Sequence, residues 1–155
     1  MAVYKGITHS NLKAINFEAD TATITQLNVT DSVLSTRKRF TIAEVNAGAT
    51  LVAAVSGKSI RMVNCKAIAV GGAAAAVTTV DVLGTQTTSQ KLVAFAQANL
   101  TQSTVLTAGG TGTTVLADGA SFVANDAGTA VTVGKTGSDV TTATHIDVIF
   151  DYVLE

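Results

Sequence analysis

An apolar residue at every second position from 146 to 154 constrains the fold more than any other feature of the sequence. His145, Asp147 and Asp151 occupy one set of alternate positions, together with Ile149 and Val153. The other set is apolar throughout: Ile146, Val148, Phe150, Tyr152 and Leu154. Successive side chains point to opposite faces of a strand, whereas a helix brings residues three and four apart together. The pattern therefore predicts a half-buried β-strand.

The composition extends this prediction to the whole chain. Thr, Val and Ala dominate the 155 residues, which include 13 Gly but no Pro and no Trp. The β-branched side chains of Thr and Val fit a pleated surface, and Gly supplies the positive φ angles of tight turns. Turn signals recur about every ten residues, as in β-sandwiches and barrels. We therefore predict an all-β, antiparallel fold.

Several shorter stretches also carry strand patterns. Residues 39–42 alternate ahead of a turn at 46–48, and residues 77–84 and 129–133 predict short strands. The longest candidate is residues 59–70, and its predicted inward row is Val63, Cys65, Ala67 and Ala69. Glycines and polar residues predict a turn-rich connection over 134–142.

Residues 91–102 are ambiguous between two structures. Leu92, Phe95 and Leu100 fit helical spacing, yet an apolar residue at every second position from 92 to 100 fits a strand. We favour an extended structure because threonines follow closely.

The chain divides near residue 36 into an N-terminal extended arm (1–36) and a β-sandwich domain (37–155). The arm carries apolar residues with neither helical nor strand period: Tyr4, Ile7, Leu12, Ile15 and Phe17. They are too scattered to form a core alone and too apolar for a solubilising tail. An arm that orders on a partner surface explains both facts, and packing against its own domain as an edge strand is the alternative.

Arg37, Lys38 and Arg39 form the one run of basic residues. Positive side chains on an edge strand blunt unwanted pairing, so a solvated strand edge is one interpretation. Contact with an acidic partner surface is the other. The run has no aromatic residues nearby and the net charge is −1, so we expect no nucleic-acid partner.

Residue types that carry chemistry are sparse. His9 and His145 lack His, Cys or acidic neighbours at metal-ligand spacing, and the strand face with His145 is expected to be solvated or part of an interface. Cys65, the single cysteine, fits a small buried hydrophobe. Asn125–Asp126 leaves calcium ligation open, but without EF-hand spacing. We predict no catalytic residue, no metal site and no cofactor, and hence no enzyme.

No segment of the sequence predicts a membrane partner. The most apolar window, residues 67–77, is too short to span a bilayer, and the first residues lack the apolar stretch of a signal peptide. We expect the chain to be made and used in soluble form.

The sequence resembles the small virion proteins of tailed bacteriophages, particularly capsid decoration (cement) proteins. The resemblance rests on the polar leading segment, the body rich in Ala, Thr, Gly and Val, residues 125–134 (NDAGTAVTVG) and residues 144–152 (THIDVIFDY). It implies a jelly-roll-like β-sandwich, often trimeric, that bridges neighbouring shell subunits.

The expected function is therefore structural. Such a chain would be made in the host cytoplasm and would bind the outer capsid surface of the virion. Its partners would be the major capsid protein and, in a homotrimer, its own copies. The predicted capsid contacts are Tyr4, Ile7, Leu12, Phe17, Arg37, Lys38 and Arg39. The alternatives are a tail or head-spike protein, a carbohydrate-binding β-sandwich module and, last, a small hydrolase. Five Phe, two Tyr and no Trp offer few sugar-stacking platforms.

Overall fold

The computed structural model of the chain describes residues 32–84, 90–108 and 125–155. Within these ranges it forms eight strands and one short helix, which confirms the all-β prediction. In chain order the elements are β1 (Leu34–Thr41), α1 (Ile42–Ala47), β2 (Ala49–Val52), β3 (Ile60–Val70), β4 (Ala74–Gly84), β5 (Gln90–Ala96), β6 (Val105–Thr107), β7 (Val131–Thr142) and β8 (His145–Leu154).

The strands form two antiparallel sheets of four strands each. The first sheet has the order β1-β8-β3-β6 and the second has the order β2-β7-β4-β5. Four of the pairings are nested: β1 pairs with β8, β2 with β7, β3 with β6 and β4 with β5. The first four strands, in chain order, therefore pair antiparallel with the last four in reverse chain order, so the chain forms one long antiparallel ribbon that folds into two sheets.

Both sheets contribute to a single hydrophobic core. On β8 the predicted row is confirmed at its first three positions, since Ile146, Val148 and Phe150 are fully buried. The last two, Tyr152 and Leu154, are half-buried and pack against the core. The second sheet contributes two pairs of fully buried valines, which are Val80 and Val82 of β4 and Val131 and Val133 of β7. Five of the other buried hydrophobic residues among those described are Ala, which contributes less apolar area per residue than Val or Ile.

The inward row of β3 changes phase at a bulge. Cys65, Ala67 and Ala69 are fully buried as predicted, but Val63 is 50% exposed. The register against β8 shifts between Met62 and Asn64, so Met62 is buried instead. The extra residue of a bulge exchanges the two faces of a strand.

The strand predicted over 39–42 ends at Thr41, which is the N-cap of helix α1. The Thr41 side chain accepts a hydrogen bond from the Glu44 backbone N–H, and the Glu44 side chain accepts one from the Thr41 backbone N–H. This capping box stabilises the first turn of a helix that the alternation pattern did not predict. Gly48, with φ of 81°, caps the end of the helix.

Three other boundaries differ from the predictions. The prediction of a turn-rich connection over 134–142 is wrong, because β7 continues through Thr142 and pairs with β4, with two register shifts. Over 91–102 the extended interpretation is confirmed for β5, which ends at Ala96 before a turn at 97–99. β1 begins at Leu34, so the last three residues assigned to the arm belong to a strand. The rest of the arm, residues 1–31, lies outside the described residues.

Candidate functional site

The basic run lies on β1, at one end of the first sheet's strand order. Because side chains alternate, Arg37 and Arg39 share the outer face, whereas Lys38 is directed to the other side of the strand. Their cross-strand neighbours on β8 follow the same alternation: Arg37 lies opposite Ile149 and Arg39 opposite Asp147. The three basic residues, adjacent in sequence, therefore lie at two separate sites in the fold, Arg37 with Arg39 at one and Lys38 at the other.

Asp147 joins the two arginines on the outer face. Arg39 donates from Nε to Asp147 Oδ1 at 2.6 Å and from a terminal nitrogen to Oδ2 at 2.9 Å. Arg37 donates to Oδ2 at 2.7 Å. The Asp147 side chain is only 2% exposed, whereas those of Arg37 and Arg39 are 64% and 53% exposed. Of the two alternatives expected for this strand face, solvated or part of an interface, the solvated one does not hold at Asp147, which is buried under the arginines.

The electrostatics of Asp147 follow from these contacts. The hydrogen bond from Arg39 is the largest cause that lowers the pKa of the carboxyl group, from 3.8 to about 2, with Arg37 adding to it against the opposing effect of burial. The same contact raises the pKa of Arg39. The carboxylate is thus ionised at neutral pH, where it orients both guanidinium groups.

Lys38 connects the two sheets. Its Nζ donates to the backbone carbonyl oxygen of Thr50 in β2 at 2.6 Å, and lies 5.0 Å from the ring centroid of Phe40. β1 and β2 stand at the ends of their strand orders, so this contact closes the gap between two sheet edges. Lys38 therefore has a structural contact that the basic run did not predict.

A second buried carboxylate lies on β4. Asp81 is 1% exposed, and its Oδ2 accepts a hydrogen bond from Thr136 Oγ1 at 2.6 Å. Lys91 Nζ lies 3.1 Å from the same oxygen and also donates to Thr136. Asp81 Oδ1 has no hydrogen-bond partner within the part of the chain that the structure describes. The sequence analysis did not single out Asp81, because only strand pairing brings these three residues together.

The residues considered for chemistry stand apart. Cys65 is fully buried, and burial is the main cause that raises the pKa of its thiol to about 12, which confirms it as a buried hydrophobe. His145 is half-buried, with Nδ1 3.1 Å from Thr144 Oγ1. His9 lies outside the described residues. No three His, Cys, Asp or Glu side chains are grouped as metal ligands in the described ranges.

Four of the seven predicted capsid contacts, Tyr4, Ile7, Leu12 and Phe17, lie outside the described residues. The structure brings Arg37 and Arg39 together and separates Lys38 from them. The sequence analysis missed Asp147 as their common partner. The alternation over 145–154 placed Asp147 on the outer face, but only the register of β1 against β8 sets it opposite Arg39.

Comparison with known proteins found no family model, no curated protein sequence and no solved structure that matches this chain. Among the helices of the described residues, none is long and apolar enough to cross a membrane.

Proposed function

We propose that the chain is a structural virion protein that binds the outer capsid surface of a tailed bacteriophage. It would stabilise the shell by bridging neighbouring capsid subunits. A ligand that binds only the assembled state raises the free energy needed to open that state. The activity is thus adhesion rather than catalysis, and it needs no cofactor.

The nested strand pairing is the observation that carries this proposal. An antiparallel ribbon of eight strands, in which β1 to β4 pair in turn with β8 to β5, supports a jelly-roll β-sandwich. Jelly rolls occur in viral capsid proteins, and also in lectins. A shared fold supports a function only by analogy, so a virion protein has to be distinguished from a lectin by its contact surfaces and by experiment.

The described aromatic residues favour the virion role over a sugar-binding module. Carbohydrate modules stack sugar rings on exposed aromatic faces, whereas Phe40, Phe95 and Phe150 are 0–2% exposed. Tyr152 is half-buried and packs against Phe150, with ring centroids 5.7 Å apart. The three phenylalanines therefore offer no face to a sugar, and Tyr152 offers only part of one.

Two regions contact the capsid in this proposal. The first is the N-terminal arm, with Tyr4, Ile7, Leu12 and Phe17 as apolar anchors. The second is the outer side of β1, which directly follows the arm in sequence. We propose a homotrimer, in which three arms bind at once and the attachment gains from multivalency.

Purified virions provide the test. Mass spectrometry should find the chain in stoichiometric amounts in mature particles, and electron microscopy with a labelled chain should place it on the head. Particles that lack the gene should release their DNA at a lower temperature, and added purified chain should restore the wild-type midpoint. Location on the tail, absence from the particle, or an unchanged midpoint would each refute the proposal.

The arm is tested separately with a deletion of residues 2–20. Attachment to capsids should be greatly weakened, while the thermal midpoint of the free protein stays nearly unchanged. A midpoint several degrees lower would show that the arm packs on its own domain as an edge strand. Light scattering should give the mass of three chains at micromolar concentration, and a monomer mass would contradict the trimer.

A further inference from the structure

Cross-strand pairing places the residues on the outer face of the first sheet in rows that combine polar and apolar side chains. One row runs from Arg39 through Asp147 and Ile68 to Val105, and the next from Arg37 through Ile149 and Lys66 to Thr107. Val105 is 53% exposed, and Ile68 and Ile149 are half-buried. The face therefore combines two exposed arginines with an aliphatic surface beside them.

The charges on these two rows do not cancel. Arg37, Arg39 and Lys66 contribute three positive charges, against the single negative charge of Asp147. Moreover, the Asp147 carboxylate is buried, whereas more than half of each arginine side chain is exposed. The accessible part of these rows is thus positive although the whole chain has a net charge of −1.

The two guanidinium groups are already held in place. Arg39 uses Nε and one terminal nitrogen on Asp147, while Arg37 contacts it within the described residues through one terminal nitrogen only. An arginine carries five N–H donors in a planar fork, so Arg37 has donors left for a second carboxylate. Side chains fixed in advance lose less conformational entropy when a partner binds.

We propose that this face binds a carboxylate-bearing surface of the capsid through Arg37 and Arg39, with Asp147 as the residue that positions them. The inference rests on the proposed function and names the chemistry of the partner. An acidic side chain of the partner accepts hydrogen bonds from the arginines, while its apolar surroundings pack on Ile149 and Ile68. Lys38 takes no part, because its ammonium group is bound to Thr50 between the sheets.

Co-sedimentation with capsids stripped of the chain tests this inference. Arg37→Gln/Arg39→Gln should weaken binding about tenfold or more, and should reduce its dependence on salt. Lys38→Gln is the matched control, with a neighbouring charge removed, and should bind within about twofold of wild type. Because the double variant leaves Asp147 buried without its partners, it is also made with Asp147→Asn, and folding is checked by circular dichroism.

The outcomes separate the two proposals. If the wild-type chain does not bind capsids, the proposed function fails, and this inference fails with it. If the wild type binds and both arginine variants, correctly folded, bind equally well, the inference alone is overturned. It is also overturned if the arginine variants change the mass of the oligomer, because the face would then lie between copies of the chain.

Discussion

Lys38 donates a hydrogen bond to the backbone carbonyl oxygen of Thr50 and so joins the edge strands of two different sheets. The ammonium group also lies near the ring of Phe40, a fully buried residue. Lys38, the middle residue of the basic run, thus links the edge strands β1 and β2. This geometry separates the structural lysine from the two arginines on either side of it.

Replacing Lys38 with Met should lower the free energy of unfolding by about 1 kcal/mol, since the hydrogen bond and the contact with Phe40 are lost while the aliphatic stem remains. Urea denaturation measures the change. Lys58→Met, at an exposed lysine in the turn before β3, is the control and should have little effect. Equal losses for the two variants would contradict the role of Lys38.

The sequence was sufficient to predict the fold class and the clearest strand, because both depend on local patterns. Alternation over 145–154 was strong enough to identify the buried row from Ile146 to Phe150. The same kind of reasoning failed at Val63, where one bulge exchanges the faces of β3. It also failed at 134–142, where glycines lie within a long strand.

The candidate site was harder to predict from sequence for a physical reason. Arg39 and Asp147 are 108 residues apart, and nothing local to either residue indicates the other. Their contact depends on the register of β1 against β8, which the whole sheet sets. By contrast, the capping box of Thr41 and Glu44 was visible as a spacing of three residues and was not recognised.

The ionised Asp147 should make stability depend on pH. Its pKa is about 2 in the folded chain against an ordinary value of 3.8, so the folded state is favoured while the group is charged. This contribution, about 2 kcal/mol, is fully present well above pH 4 and is lost as pH falls towards 2. Asp147→Asn should therefore be less stable than wild type at pH 7, with a difference that shrinks on acidification.

Urea denaturation at several pH values between 7 and 2.5 measures this difference. Asp139→Asn is the matched control, because the Asp139 side chain is 71% exposed and its ion pair with Lys135 contributes little. A constant difference between Asp147→Asn and wild type over the whole range would contradict the link to ionisation.

The pair formed by Asp81 and Lys91 should show strong coupling. Among the described residues, Lys91→Met leaves the buried Asp81 carboxylate with Thr136 as its remaining hydrogen-bond donor. We expect a loss of about 1–3 kcal/mol, below the cost for a fully buried pair because the Lys91 side chain is 44% exposed. Asp81→Asn/Lys91→Met should recover part of this loss in thermal or urea denaturation. Strictly additive effects of the two substitutions would argue against the ion pair.

Gly137 should tolerate Ala poorly because of where β7 passes β4. Its φ is +87°, and an added Cβ would lie 3.0 Å from the backbone nitrogen of Thr78 and closer still to the Thr78 hydroxyl. Gly128 has a similar φ of +73°, but in the part of the chain that the structure describes no atom outside its chain neighbours lies within 4 Å of an added Cβ. Gly128→Ala should cost about 1 kcal/mol from backbone strain alone, and Gly137→Ala clearly more. Equal changes in thermal midpoint would contradict the close approach of the two strands.

Cys65 should be unreactive until the chain unfolds. Its side chain is fully buried, and burial raises the pKa of the thiol to about 12, so the thiolate that attacks alkylating reagents is scarce as well as inaccessible. Labelling by iodoacetamide at pH 8 should be at least about a thousandfold slower than for an exposed thiol, and should follow the free energy of unfolding as urea is added. Because the chain has one cysteine, mass spectrometry gives an unambiguous readout. Cys65→Ala/Val105→Cys moves the thiol to a position that is 53% exposed and should react at once. Rapid labelling of the wild type without denaturant would show that β3 separates from its neighbours in the folded state.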